Sequence, residues 1–206
     1  MSKTLRQMAG IGVPRTVDPG KTAVVLVDFQ KEYYIGAIPI PDGEAAVANA
    51  AEVVSWADRV GAQVVHVHHV APSPKSPLFT PGTERVEPHS KVQPKTHHHR
   101  ITKTMPSSFV GTGLDAWLKE HGIDTLVICG LMTHMCVDST ARDALSLGYK
   151  PIVVSDACAT RDLPGIDGEP LPARALHRAT LTALSDRFAD ILDKDAVTQL
   201  GVQARG

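Results

Sequence analysis

Thr125-Leu-Val-Ile-Cys-Gly-Leu-Met-Thr-His-Met-Cys-Val137 is a short apolar run that ends in a glycine, then a turn, then a cysteine where a helix begins. A continuous apolar run of this length bounded by glycine reads as a strand buried on both faces. The polar, alanine-containing stretch that follows Cys136 reads as a helix from about His134 to Leu147, closed by Gly148. A helix N-terminus carries unpaired N–H groups and partial positive charge, which favours a thiolate and can hold an oxyanion. Cys136 is therefore either a nucleophile or, as most free cysteines are, a small buried hydrophobe.

The same reading extends outward. Thr22–Val27 is continuously apolar and β-branched. Asp42 and Gly43 open a helix with Val47, Ala51 and Val54 on one face, and Gly61 closes it before a strand over Gln63–Val70. Arg100–Lys103 is a short strand. Thr112–Asp115 starts a helix that carries Leu114, Trp117 and Leu118, Pro151–Ser155 is a strand, Pro172–Ser185 a helix, and Phe188–Leu192 a last strand. Strands alternating with helices predict right-handed βαβ units around a mainly parallel six-stranded sheet, an α/β/α three-layer domain over residues 21–206. Residues 1–20 read as an arm. Residues 71–97 hold six prolines and no periodicity, and so long a loop is usually a functional rim or lid.

Composition narrows the function. The chain has 206 residues, a net charge of −1 and no basic run, so a nucleic-acid footprint is missing. No apolar stretch reaches the length of a membrane span. Three cysteines cannot build a disulfide framework, and with no secretory leader visible the expected location is the cytoplasm. The first strand is followed by Val27-Asp-Phe-Gln-Lys-Glu-Tyr33 rather than a glycine fingerprint, so no dinucleotide cofactor is expected.

Ligands of parallel sheets bind at the carboxyl ends of the strands. That rule places Asp28, Lys103 and the Cys136 turn on one edge. Asp28, partly desolvated, can take a proton from a thiol; alone, it would equally be a polar strand end. Lys103 can pair with Asp28; alone, it would be a solvated lysine. Gln30, Tyr33, Phe109, Thr133 and His134 flank these positions as candidate substrate contacts, although Phe109 and the tyrosine equally suit core or lid packing. Asp156 suits a turn better than chemistry. Seven of the ten histidines lie between positions 66 and 99. His66 and His68 share one strand face and, with His69, suit a metal, but hydrogen-bonded or solvated rings explain them more simply, so no metal is expected.

Four segments together resemble the isochorismatase-like cysteine hydrolases: Val24–Gln30, Ile101–Asp115, Leu126–Ala144 and Gly148–Thr160, in that family's order and spacing. The resemblance implies a triad of Asp28, Lys103 and Cys136, and a cis peptide between Leu131 and Met132 that aims the Met132 and Cys136 amides at a carbonyl oxygen. It implies C–N bond hydrolysis of a small amide, ureide or carbamoyl compound through a Cys136 thioester, without a cofactor, in a homodimer or homotetramer. Vinyl-ether hydrolysis with Asp28 as acid is the alternative within the family. A small-molecule binding or scaffold protein is the alternative outside enzymes. The aspartate of the nicotinamidase metal motif is absent beside His66-Val-His-His69, which argues against that activity.

Overall fold

The computed structural model describes residues 2–203. Its centre is a six-stranded sheet of β1 (Thr22–Val27), β2 (Gln63–His69), β3 (His99–Lys103), β4 (Thr125–Leu131), β5 (Lys150–Ala159) and β6 (Asp190–Leu192). The strand order is β3-β2-β1-β4-β5-β6, and every pairing is parallel. Four longer helices, α1 (Gly43–Val60), α2 (Leu114–Glu120), α3 (Asp138–Ser146) and α4 (Ala173–Arg187), cover the two faces.

Strand alternation divides the core. Val24 and Leu26 of β1 join Val47, Ala50, Val53 and Trp56 of α1 on one face. Ala23, Val25 and Val27 join Leu114 and Leu118 of α2, Ala141 and Ala144 of α3, and Leu181 and Leu184 of α4 on the other. Each fully buried leucine or valine contributes roughly 1.5–3 kcal/mol relative to exposure. That burial, more than helix propensity, holds α1 with its single closing glycine, Gly61, in the left-handed region at φ 80°.

Several boundaries differ from those read in the sequence, each for a local reason. β5 continues past Ser155 to Ala159 because the register with β4 shifts between Ile128 and Gly130, so the polar Ser155-Asp156 pair sits at an irregularity rather than at a strand end. Asp156 accepts from Lys194 N at 2.7 Å, which fixes the turn into a short helix, Lys194–Thr198. The helix after β4 begins with a wide π-type turn, Thr133–Val137, before α3. Residues 71–97 hold only two single helical turns, Glu84–Val86 and Ser90–Val92. Within residues 2–20, a helical turn at Leu5–Met8 is tied to the sheet edge through the Arg6–Asp190 ion pair, and Thr16–Val17 pairs with Gly201–Val202. Among the described residues no helix is long and apolar enough to cross a membrane.

Gly130 sits against Val27 of the neighbouring strand with no room for a side chain. A Cβ built there would stand 2.5 Å from Val27 O and 2.6 Å from Val27 Cβ. Val27 is backbone-paired on both sides and cannot retreat. Gly130→Ala is therefore expected to destabilise the fold by about 1–3 kcal/mol and to displace the turn that carries Cys136. Thermal denaturation will show the first effect; an unchanged melting temperature would mean that the sheet yields here.

Candidate active site

Register explains why three distant residues meet. Val27 pairs with both Val67 and Gly130, and His69 pairs with Lys103, so β1 to β4 end together. Asp28, the residue after β1, takes φ 56°, a left-handed conformation that asparagine and aspartate tolerate better than other side chains. Its N–H still donates to Val67 O at 2.9 Å. The turn swings the chain out of the sheet while the carboxylate stays inside, fully buried.

Lys103 Nζ lies 2.7 Å from Asp28 Oδ2, both side chains being fully buried. The same ammonium donates to Met105 O at 3.1 Å and to Cys136 Sγ at 3.4 Å, and stands 3.5 Å from His69 Nδ1. The Asp28 carboxylate also faces the Cys136 thiol and the His69 backbone N–H. Burial pushes the Asp28 carboxyl above the ordinary carboxylate range, against the pull of Lys103. Burial, and then the Asp28 charge, push the Cys136 thiol up to about 12, against the pull of Lys103. Desolvation and the adjacent carboxylate thus oppose the pull that the lysine and the helix end exert toward a thiolate.

The Leu131–Met132 peptide is cis. Met132 O accepts from Met135 N at 3.1 Å and Val137 N at 3.3 Å, which closes the turn around Cys136. A cavity of about 370 Å³ opens onto Cys136 and Met132. Tyr33, His69, Phe79, Met135 and Arg161 contribute to its walls, together with Ala71, Pro72, Ser76 and Leu78 of the proline-rich loop. A larger cavity of about 560 Å³ lies at the amino end of the strands, under the N-terminal arm and away from these groups.

Of the five residues expected at the substrate, Tyr33 alone lines the cavity. Gln30 is fully buried, with Nε2 donating to His69 O and Val86 O, each at 2.8 Å, and Oε1 accepting from His69 N at 2.7 Å. All its useful groups are engaged in anchoring the loop to the sheet end. Phe109 packs in the core against Tyr149 with ring centroids 5.8 Å apart. Thr133 is buried against His177 at 2.8 Å, and His134 is bonded to Thr160. These contacts hold the turn rather than face the cavity.

Sequence reasoning missed Arg161, Phe79 and Glu32. Arg161 follows β5 by two residues, so the strand-end rule that found Asp28 would have found it had β5 been extended to Ala159. Its Nε is buried with no partner among the described residues, while Nη1 donates to Asp162 O at 3.2 Å. Phe79 sits at φ 49°, a costly conformation for a bulky side chain. It is fixed by Phe79 N donating to Glu32 Oε2 at 3.0 Å and Phe79 O accepting from Ala71 N at 3.0 Å. Its ring then stands edge-on to Tyr33 and to His69. No sequence signal marks Glu32, which is fully buried in the single helical turn Lys31–Tyr33.

The histidines separate. His66 and His68 share a face as the alternation requires, with ring centroids 6.3 Å apart. His69 turns the other way, into the cavity, where burial and Lys103 lower its pKa to about 4. Among the described residues the metal-type donors that do converge are Asp58 of α1 with His97 and His98, at the opposite end of β3 from Lys103.

Comparison with known proteins agrees with this architecture. Residues 22–196 match the model of the isochorismatase domain. An isochorismatase family protein of Bacillus subtilis, YddQ, is 39% identical over 176 residues, covering 85% of this chain and 97% of its own. The crystal structure of an isochorismatase from Pseudomonas putida superimposes with a TM-score of 0.88 at 30% identity, covering 95% of this chain and 99% of that one. N-carbamoylsarcosine amidase from Thermoplasma acidophilum superimposes with a TM-score of 0.73 at 28% identity, covering 90% and 99%. Fold, residue span and relatives agree, and the chain belongs to the isochorismatase family of hydrolases.

Proposed function

We propose that this chain is a cysteine-dependent amidohydrolase that cleaves a C–N bond in a small amide, ureide or carbamoyl compound. The observation that carries the reading is the buried contact of Lys103 with both Asp28 and Cys136, where Cys136 lines a cavity large enough for a small molecule. The similarity to an amidase supports the bond type.

In this mechanism the Asp28 carboxylate takes the thiol proton as Cys136 sulfur attacks the carbonyl carbon. The Met132 and Cys136 amides receive the developing oxyanion. Asp28 passes its proton to the departing ammonia or amine, and a thioester remains on Cys136. Asp28 then deprotonates a water that hydrolyses the thioester, which releases the acid and restores the thiol. Lys103 keeps the carboxylate charged and oriented despite its burial. A resting thiol suits this sequence, because the proton that must reach the leaving nitrogen is already in the site. We place the enzyme in the cytoplasm as a homodimer or homotetramer.

Arg161 sharpens the substrate. A guanidinium at the cavity wall favours a substrate that carries a carboxylate on the side away from the scissile bond. Removing a charged hydrogen bond of this kind costs about 1.5–3 kcal/mol. Arg161→Ala is therefore expected to raise KM for a carboxylated substrate by roughly 10- to 100-fold, with a smaller effect on its neutral amide counterpart. Equal effects on both would remove Arg161 from substrate recognition.

Ammonia release screened across primary amides, carbamoyl amino acids and ureides tests the function. Activity on at least one class, lost in Cys136→Ala, is the expected result. Ether cleavage that survives this substitution would favour acid catalysis by Asp28 alone.

A further inference from the structure

We propose that Asp58, His97 and His98 form a divalent-cation site of the zinc type, separate from the catalytic cavity, that clamps the returning end of the proline-rich loop to helix α1. Asp58 lies in the last turns of α1, and His97 and His98 lie in the turn that leads from the loop into β3.

The geometry is close to what a tetrahedral ion needs. His98 Nε2 and His97 Nε2 stand 3.0 and 3.1 Å from Asp58 Oδ1, and the three donor atoms lie within 4.8 Å of one another. Zinc bound at its usual 2.0–2.1 Å to nitrogen or oxygen separates neighbouring ligand atoms by about 3.3 Å. The two rings stand nearly perpendicular, at 81°, so both nitrogens reach one point without stacking. A water completes the fourth position.

The shell behind the donors fits as well. Metal-bound histidines characteristically engage their second nitrogen in a hydrogen bond. His98 Nδ1 lies 2.9 Å from His66 Nε2, deep in the protein. Without metal, His98 Nε2–H donates to Asp58, and its Nδ1 accepts from His66. With metal on Nε2, the His98 proton moves to Nδ1 and donates back to His66, which shifts its own proton to Nδ1. The bond between the rings survives with its direction reversed, and no proton need leave.

Two groups must yield. Lys95 Nζ, paired with Asp58 Oδ2, is half exposed and can swing into solvent. The long 3.3 Å hydrogen bond from Lys95 N to His98 Nδ1 is lost.

The test is titration of tag-free, chelator-treated protein with Zn2+ alone, read by calorimetry and by melting temperature. We expect saturable uptake of about one ion per chain and a melting temperature raised by several degrees, as mass action on the folded state requires. His97→Ala removes an exposed ligand without opening the core, and it is expected to weaken uptake by about tenfold or more. Asp58→Asn is expected to do the same. No saturable uptake by the wild-type protein, or the same uptake in His97→Ala, would mean a hydrogen-bonded cluster only and would overturn the proposal.

Discussion

Replacing Asp28 by asparagine is expected to reduce hydrolysis by about three orders of magnitude while making Cys136 more reactive toward iodoacetamide. The two effects have one cause. General-base catalysis contributes roughly 10²–10⁴, and asparagine cannot accept the thiol proton. The Asp28 charge is also one of the forces that hold the proton on Cys136. Without it, Lys103 faces the sulfur unopposed, and each unit by which the thiol pKa falls gives about ten times more thiolate at neutral pH. In the wild-type protein alkylation near neutral pH should be slow, because the thiol sits near 12. Hydrolysis should fail on the acid side as pH drops through an Asp28 pKa raised above the ordinary carboxylate value. The base form is the one required, so a raised pKa moves this limb upward. Stability needs a control, since a buried lysine left without its carboxylate costs about 3–5 kcal/mol, and asparagine offers its carbonyl oxygen only in part. If a folded Asp28→Asn protein loses alkylation and hydrolysis together, Asp28 is not the group that holds the thiol proton.

Cys136→Ala is expected to lower hydrolysis by about 10⁴ or more, because residues that act as one unit lose nearly all the advantage when one is removed. Binding should persist. Cys136 is nearly buried, and losing its sulfur slightly enlarges the cavity rather than closing it, so the variant should still protect substrate or product analogues in a thermal-shift assay. Cys136→Ser tests the point further. Its hydroxyl holds the proton far more firmly than a thiol, and the same Asp28 should rescue little activity. Turnover by either variant at near wild-type rate would remove the thioester from the mechanism.

The parallel sheet was legible because β1, β4 and the first half of β5 are apolar runs of a kind doubly covered strands carry, and because α1 shows its buried face at regular spacing. Strand-end placement then brought Asp28, Lys103 and Cys136 to one edge, and the ordered motifs supplied their roles. The state of the thiol was not legible. A local rule about helix ends favoured a thiolate, whereas the outcome depends on desolvation and on a carboxylate about a hundred residues away in sequence. Which residues line the cavity was not legible for a related reason. Gln30, Thr133 and His134 lie beside reactive residues along the chain, but adjacency says nothing of direction, and their polar groups are spent on backbone and neighbouring side chains. Much of the cavity wall comes from the proline-rich loop, where Glu32 holds Phe79. A buried carboxylate serving two backbone amides has no sequence signature.

The most direct test of the central claim is rapid acid quenching during turnover of any substrate found in the ammonia screen, followed by peptide mass spectrometry. The account predicts an acyl group on Cys136, with the mass of the substrate minus its leaving amine. The adduct should accumulate where hydrolysis of the thioester is slowed and should be absent from Cys136→Ala. Steady turnover with no adduct on Cys136, and hydrolysis that continues in Cys136→Ala, would contradict it.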